Sequence, residues 1–302
     1  MHRGRAAVLA SLATAAVVGL AWWGAAIARD MEPASAGSGS AVPIDAPLGP
    51  VAKAVNAGRH VRIEGPRGPI HVWIPAGYHA DTGATILYIH GYWDDTDTAW
   101  VGHQLPEQFA LAGQNALFIA PEAPVAARTP VNYPDLGELL RIVEEKTGVV
   151  RGAALTAVVG HSGAFRTMNA WLDEALLDQM IWIDAMYGDE DIIVNWYNAS
   201  PRRRLIIVGE DTILGTEAVV EKLPAGDCLT IDRFPPTWET YPAAAKRARC
   251  VYVRAQYMHM PLVTEGFVLP AMLRLLPVEL LPDHPWHLPL GSLPPLADAA
   301  SD

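Results

Sequence analysis

The chain has 302 residues, 51% of them hydrophobic, and its 33 acidic side chains outnumber 22 basic ones for a net charge of −11. That size and apolar content suit a sizeable α/β domain with ample core. The acidic balance argues against a nucleic-acid partner and does not by itself name a substrate.

The first element is a targeting segment over residues 1–30. Arg3 and Arg5 precede 23 residues without a charge, Ala6 to Ala28, and Arg29-Asp30 closes the run. At about 1.5 Å per residue such a helix crosses a hydrocarbon core of roughly 30 Å. Ala26-Ile27-Ala28 has the form of a signal-peptide cleavage site. The length of the run and Trp22-Trp23 favour an uncleaved anchor. Under either reading the remainder is exported: periplasmic, secreted, or membrane-anchored with its folded domain outside. Residues 31–55, rich in Ala, Gly, Ser and Pro, read as a linker. Residues 56–280 read as the folded domain and 281–302 as a Pro-rich tail.

Within the domain, strand and helix signals alternate. Residues 60–64 and 70–74 predict a hairpin across Gly65-Pro66-Arg67-Gly68. Strands are expected at 85–89, 116–120, 154–159, 180–183, 205–208 and 251–255. Helices are expected at 107–112, 135–146, 163–176, 189–197, 216–223 and 266–276, the last interrupted by Pro270. The segment 224–249 reads as a small lid or flap. Continuous apolar strands alternating with helices predict a mainly parallel sheet covered on both faces. Reactive groups in such sheets lie beyond the carboxyl ends of the strands.

Chemistry concentrates at Gly160-His161-Ser162-Gly163-Ala164. This pentapeptide ends an apolar run and opens a helix, the context of a nucleophile elbow, where a sharp turn presents Ser162. Gly at the second place after the serine is usual, so Ala164 should not need a glycine-only conformation. A serine nucleophile needs a base, and the base an orienting acid. His259, four residues past the last predicted strand, is the base. The acid is Asp184, which ends an apolar strand where an aspartate needs a partner. Asp211, after the next strand, is the alternative, and a helix cap would also account for it. The Gly163 amide supplies one oxyanion donor. The loop His90-Gly91-Tyr92 supplies the second through Tyr92, with Gly91 permitting close backbone approach. Asp94, Asp95 and Asp97 lack the glycine and distal glutamate of a calcium loop and read as a solvated acidic loop or cap. No cofactor-binding or metal-ligand set is expected. Trp93, Trp100, Trp196 and Tyr197 receive no role. Cys228 and Cys250, the two cysteines of an exported chain, are expected to form a disulfide.

Together these residues resemble the α/β-hydrolase superfamily over roughly 60–276. The resemblance implies an eight-stranded core sheet, a Ser-His-Asp triad, a two-step acyl transfer and no cofactor. The position of Asp184 resembles lipases and platelet-activating-factor acetylhydrolases whose acid follows strand six. The resulting expectation is an exported serine hydrolase acting on a small-molecule or acyl ester substrate. A peptidase or amidase of the same fold, and a catalytically silent surface binding protein, are the alternatives.

Overall fold

Nine strands form one sheet: β1 (Arg59–Gly65), β2 (Gly68–Ile74), β3 (Ala84–Ile89), β4 (Ala116–Pro121), β5 (Thr156–His161), β6 (Gln179–Ile183), β7 (Arg204–Gly209), β8 (Cys228–Ile231) and β9 (Cys250–Arg254). The structure, a computed structural model, describes residues 49–235 and 241–282. The targeting segment 1–30, most of the linker and most of the tail lie outside the described residues. The linker's last part is helical, because a helix at Pro50–Ala57 starts on a proline, which suits the first turn. Among the described residues, no helix is long and apolar enough to cross a membrane.

The strand order is β1-β2-β4-β3-β5-β6-β7-β9-β8. The pairs β1–β2 and β2–β4 are antiparallel and the rest are parallel. Every residue of β3, β4, β5, β6 and β7 is buried, which explains their unbroken apolar character. Successive residues serve opposite faces. Ile86 and Tyr88 pack with Phe109 and Leu269, whereas Leu87 and Ile89 pack with Leu139 and Trp171. The register pairs Ile89 with Gly160, His161 with Ile183, and Ile183 with Val208. The carboxyl ends of β3, β5, β6 and β7 therefore finish level, and the loops that leave them share one rim.

The structure departs from the expected elements in four places. The sheet has nine strands instead of eight. The addition is β8, a four-residue edge strand in the segment read as a lid, and its partly polar sequence carries too little period-two signal. That segment also holds a helix at Ala243–Arg247. The helix after Ser162 is short: a tight turn over Ser162–Ala164 leads into Phe165–Ala170. It stops where Trp171, fully buried, donates its indole N–H to the Tyr133 carbonyl at 2.8 Å. Helix Thr96–Gly102, capped by Asp95 accepting from the Thr98 amide, was not foreseen. Near the end, two helices, Pro261–Thr264 and Val268–Leu273, replace one. Pro270 sits in the first turn of the second, where no intrahelical N–H is needed.

Cys228 and Cys250 are register partners on β8 and β9 and form a disulfide with Cα atoms 4.3 Å apart. It ties the edge strand to its neighbour across 22 residues of chain. On the chain-entropy account, replacing both cysteines with alanine is expected to lower stability by about 3 kcal/mol. Denaturant titration of the double variant measures this; an unchanged midpoint would show that the cross-link only decorates the edge.

Candidate active site

Ser162 stands at the end of β5 with φ +52°, a left-handed conformation unusual for a residue with a Cβ. The close packing around it explains the small neighbours. A Cβ on Gly160 would lie 2.3 Å from the Met168 sulfur and 2.8 Å from the Ala164 Cβ. Ala164 itself is right-handed, so a methyl group costs its backbone nothing. A Cβ on Gly91 would lie 2.9 Å from the Ser162 Cβ and 3.2 Å from the His161 carbonyl oxygen. Gly91 thus lets the loop after β3 press against the elbow. His90 pins that loop: its Nε2 accepts from the Ala123 amide at 3.0 Å, leaving Nδ1–H to donate to the Gly91 carbonyl at 2.8 Å.

The amide of Gly163 lies in the first turn after β5, where no intrahelical acceptor exists. A Cβ on this glycine would strike the Tyr92 ring at 2.4 Å. The Trp93 amide donates to the Val125 carbonyl at 2.9 Å, whereas the Tyr92 amide has no acceptor among the described residues. Two amides from two loops therefore flank the serine.

Asp184 ends β6, fully buried and with φ +46°. Its Oδ1 accepts from the Glu210 amide (2.9 Å), the Thr212 amide (2.9 Å) and the Thr212 hydroxyl (2.8 Å). Its Oδ2 accepts from the Asp211 amide at 3.1 Å and from His259 Nδ1 at 2.5 Å. Burial pushes this carboxyl up, but the His259 bond, the loop amides and the Thr212 hydroxyl outweigh it and hold it well below the usual carboxylate range. Asp211, the alternative acid, is exposed and holds its carboxylate 3.7 Å from the same ring nitrogen. Its amide serves Asp184. Asp184, Asp211 and His259 are also close enough to share a cation. Both Asp184 oxygens, however, are already filled by hydrogen-bond donors.

His259 is partly buried. Burial lowers its pKa, while the Asp184 hydrogen bond and charge, joined by Asp211 and Glu210, raise it to a net value above the ordinary one. Its ring lies 4.4 Å, centroid to centroid, from that of His161, the residue just before Ser162. His161 Nε2 meets the His259 carbonyl oxygen at 3.2 Å. His161 is buried, and desolvation first, then His259 and His103, push it well below the ordinary histidine value. It is therefore neutral, and Nε2–H donates to that carbonyl.

Three contributors escaped the sequence reading. His161 was read only as the variable place of the motif. Thr212 was hidden behind two stronger acids. Tyr187, three residues past Asp184, has its phenol against the Ser162 hydroxyl, and burial pushes it up to about 12, so it stays protonated. Its ring packs on Phe165 at 5.7 Å, which meets Tyr92 at 6.4 Å. Of the aromatic residues given no role, Trp100, Trp196 and Tyr197 are core residues, and Trp93 is 74% exposed on the loop after β3.

No protein-family model matches the chain, and no curated protein matches it. Solved structures do. The feruloyl esterase module from Clostridium thermocellum, a mutant complexed with sinapinate, is 13% identical with a TM-score of 0.51, covering 76% of this chain and 92% of that one. A thermostable esterase from Pseudomonas putida is 14% identical, with a TM-score of 0.44 over 74% of this chain and 85% of that one. An esterase from Pyrobaculum calidifontis is 12% identical, with a TM-score of 0.43 over 73% and 84%.

The chain has the α/β-hydrolase fold. Strand order, the elbow after β5 and the first of these neighbours agree on it. In an α/β hydrolase the nucleophile, acid and base follow in the order Ser, Asp or Glu, His. Ser162, Asp184 and His259 occur in that order. The acid's place after β6 and the base's place after β9 bring their side chains together from 75 residues apart.

Proposed function

We propose that this α/β hydrolase cleaves carboxylic esters through a serine nucleophile. The observation that carries the reading is the buried Asp184 carboxylate on His259 Nδ1, beside an elbow that holds Ser162 in a left-handed turn. Asp184 fixes the tautomer with hydrogen on Nδ1, so Nε2 keeps its lone pair. Nε2 takes the Ser162 proton as Oγ attacks the ester carbonyl. The tetrahedral oxyanion accepts from the Gly163 and Tyr92 amides. The alcohol leaves with the proton from Nε2, forming an acyl-enzyme that water then opens by the same steps. The residues supply every proton movement, and the reading invokes no cofactor.

Export accompanies this reading. A disulfide persists in oxidising compartments, and residues 1–30 would serve as signal peptide or anchor ahead of a linker, with 281–302 as a tail. An anchor would place the enzyme on a membrane.

The test pairs a fluorophosphonate probe with a substrate panel. Labelling at Ser162 and turnover of p-nitrophenyl esters, with methyl sinapate as one arm, are expected. Preference for aminoacyl anilides would make the chain an amidase. Intact protein without labelling would make it a binding protein.

His161 adds a positioning role. Replacing it with Phe keeps a ring beside His259 but removes the donor to the His259 carbonyl. The expected result is a kcat about tenfold lower, the scale of one lost hydrogen bond, with KM little changed. His161→Gln, which can restore the donor, should recover part of it. Equal losses in both variants would reduce His161 to a space-filler.

A further inference from the structure

Among the described residues, ten large hydrophobic side chains are exposed, and seven of them stand on loops or helix starts that follow the carboxyl ends of strands. These are Trp93 after β3, Val125 after β4, Tyr187 after β6, Leu214 with its neighbour Ile213 after β7, and Met258 and Met260 after β9. Several are extreme: Trp93 is 74% exposed, Leu214 80% and Met258 73%. In a parallel sheet these loops share one edge, the edge that holds Ser162. Contacts tie them to the site. Trp93 adjoins Tyr92 and its amide is held by Val125. Tyr187 touches Ser162. Gly215, next to Leu214, presses on the Met186 carbonyl, where a Cβ would lie 2.3 Å away. Met258 and Met260 flank His259 in sequence. Trp93 also has φ +73°, an unfavourable backbone for a bulky residue that nonetheless exposes its indole.

Apolar side chains gathered this densely on one exposed edge mark a binding surface. A small dissolved ester seated at Ser162 could cover only the inner part of a rim drawn from five loops. The outer members point to an extended apolar occupant. Charge narrows its chemistry. The loops after β3, β6 and β7 carry Asp94, Asp95, Asp189, Glu210 and Asp211 and no Lys or Arg. Such a border repels an anionic lipid surface and tolerates an uncharged one.

Resting on the ester-hydrolase reading, we propose that this apolar rim docks the enzyme onto a neutral, water-insoluble ester presented at an oil–water boundary. The scissile ester then enters from the boundary with its apolar chains still against Trp93, Leu214 and Met258.

The experiment uses the full chain and a Trp93→Ser, Leu214→Ser, Met258→Ser variant of it. Tributyrin is titrated through its solubility limit, and p-nitrophenyl acetate serves as the dissolved reference. The wild-type rate should rise sharply when droplets appear. The ratio of emulsion rate to dissolved-ester rate should fall at least about tenfold in the variant, because apolar area withdrawn from water at the boundary is lost. Both proteins carry residues 1–48, so lipid affinity residing there cancels in the comparison. The three single substitutions, each lowering the ratio by less, guard against a misfolded triple variant. Flotation should find the wild type on phosphatidylcholine vesicles more than on phosphatidylglycerol vesicles.

A smooth hyperbola through the solubility limit overturns the proposal, as does an unchanged ratio or a preference for anionic vesicles. A wild-type dimer that the triple variant dissociates, without any droplet response, assigns the rim to a second copy of the chain instead. These failures differ from failure of the underlying reading, which would show as p-nitrophenyl acetate turnover surviving Ser162→Ala.

Discussion

Replacing Ser162 with alanine is expected to lower ester turnover by about six orders of magnitude, the scale on which such nucleophiles act. The argument is one of parts acting as a unit. His259 without a hydroxyl to deprotonate has no role in attack, and the two amides have no tetrahedral oxyanion to hold. What remains is binding and a pair of donors, worth a residual acceleration over water. Stability should barely change. Alanine at φ +52° bears the same backbone strain as serine, and the Ser162 hydroxyl supports no core hydrogen bond. A variant that melts with the wild type, binds substrate and no longer reacts with a fluorophosphonate would match this. Retained labelling would place the nucleophile elsewhere and break the proposed mechanism at its first step.

The parts of the fold readable from sequence were those with a strong period or a strict turn. The run before Ser162 is apolar because β5 is buried on both faces, and Gly160 is small because Met168 and Ala164 crowd it. Local rules suffice for such features. The Cys228–Cys250 pairing followed from count and compartment, and the register of β8 with β9 accounts for it. What stayed hidden depended on partners far along the chain. β8 has four residues and becomes a strand because β9 is there to pair with it. Helix 163–176 was read too long because the drawing of Trp171 into contact with Tyr133 has no local signature.

The site divides the same way. Asp184 could be singled out because an aspartate at the end of an apolar strand must be satisfied. Its satisfaction by three consecutive residues, Glu210, Asp211 and Thr212, could not be read, since it requires the loop after β7 to fold over the end of β6. The same loop explains why two acids competed in the sequence. Asp211 belongs to the cradle that holds Asp184, through its backbone, and its side chain reaches only the outskirts of His259. His161 illustrates the limit. Its motif place tolerates many residues, and its value arises from stacking on a histidine 98 positions away.

The Asp184→Asn variant should lose about 10⁴ in kcat, the cost seen when a triad acid becomes an amide and the base takes the wrong tautomer. The cradle decides which way the new side chain points. Three donors converge on Oδ1, so the amide oxygen goes there, and the NH₂ group takes the place of Oδ2. That group faces His259 Nδ1 and the Asp211 amide. His259 must then accept at Nδ1 and carry its hydrogen on Nε2, where it cannot take the serine proton. The Asp211 amide meets a second donor, a buried mismatch that destabilises by about 1–3 kcal/mol. pH separates this from general damage. In the wild type the neutral base exists only above a pKa raised beyond the ordinary histidine value, so kcat/KM should fall as pH drops through that point. Without the carboxylate, burial is left to lower the His259 pKa against the weaker pull of Asp211 and Glu210, and the residual activity should keep its plateau to lower pH. Stability should change in the same sense. A carboxylate held below its unfolded value stabilises above about pH 4 and loses that contribution as pH falls, so the variant's midpoint should depend less on acid. Asp211→Asn, by contrast, should cost less than about tenfold, as expected for an exposed charge near the ring. If Asp211→Asn is the inactive one and Asp184→Asn turns over normally, the acid has been assigned to the wrong strand.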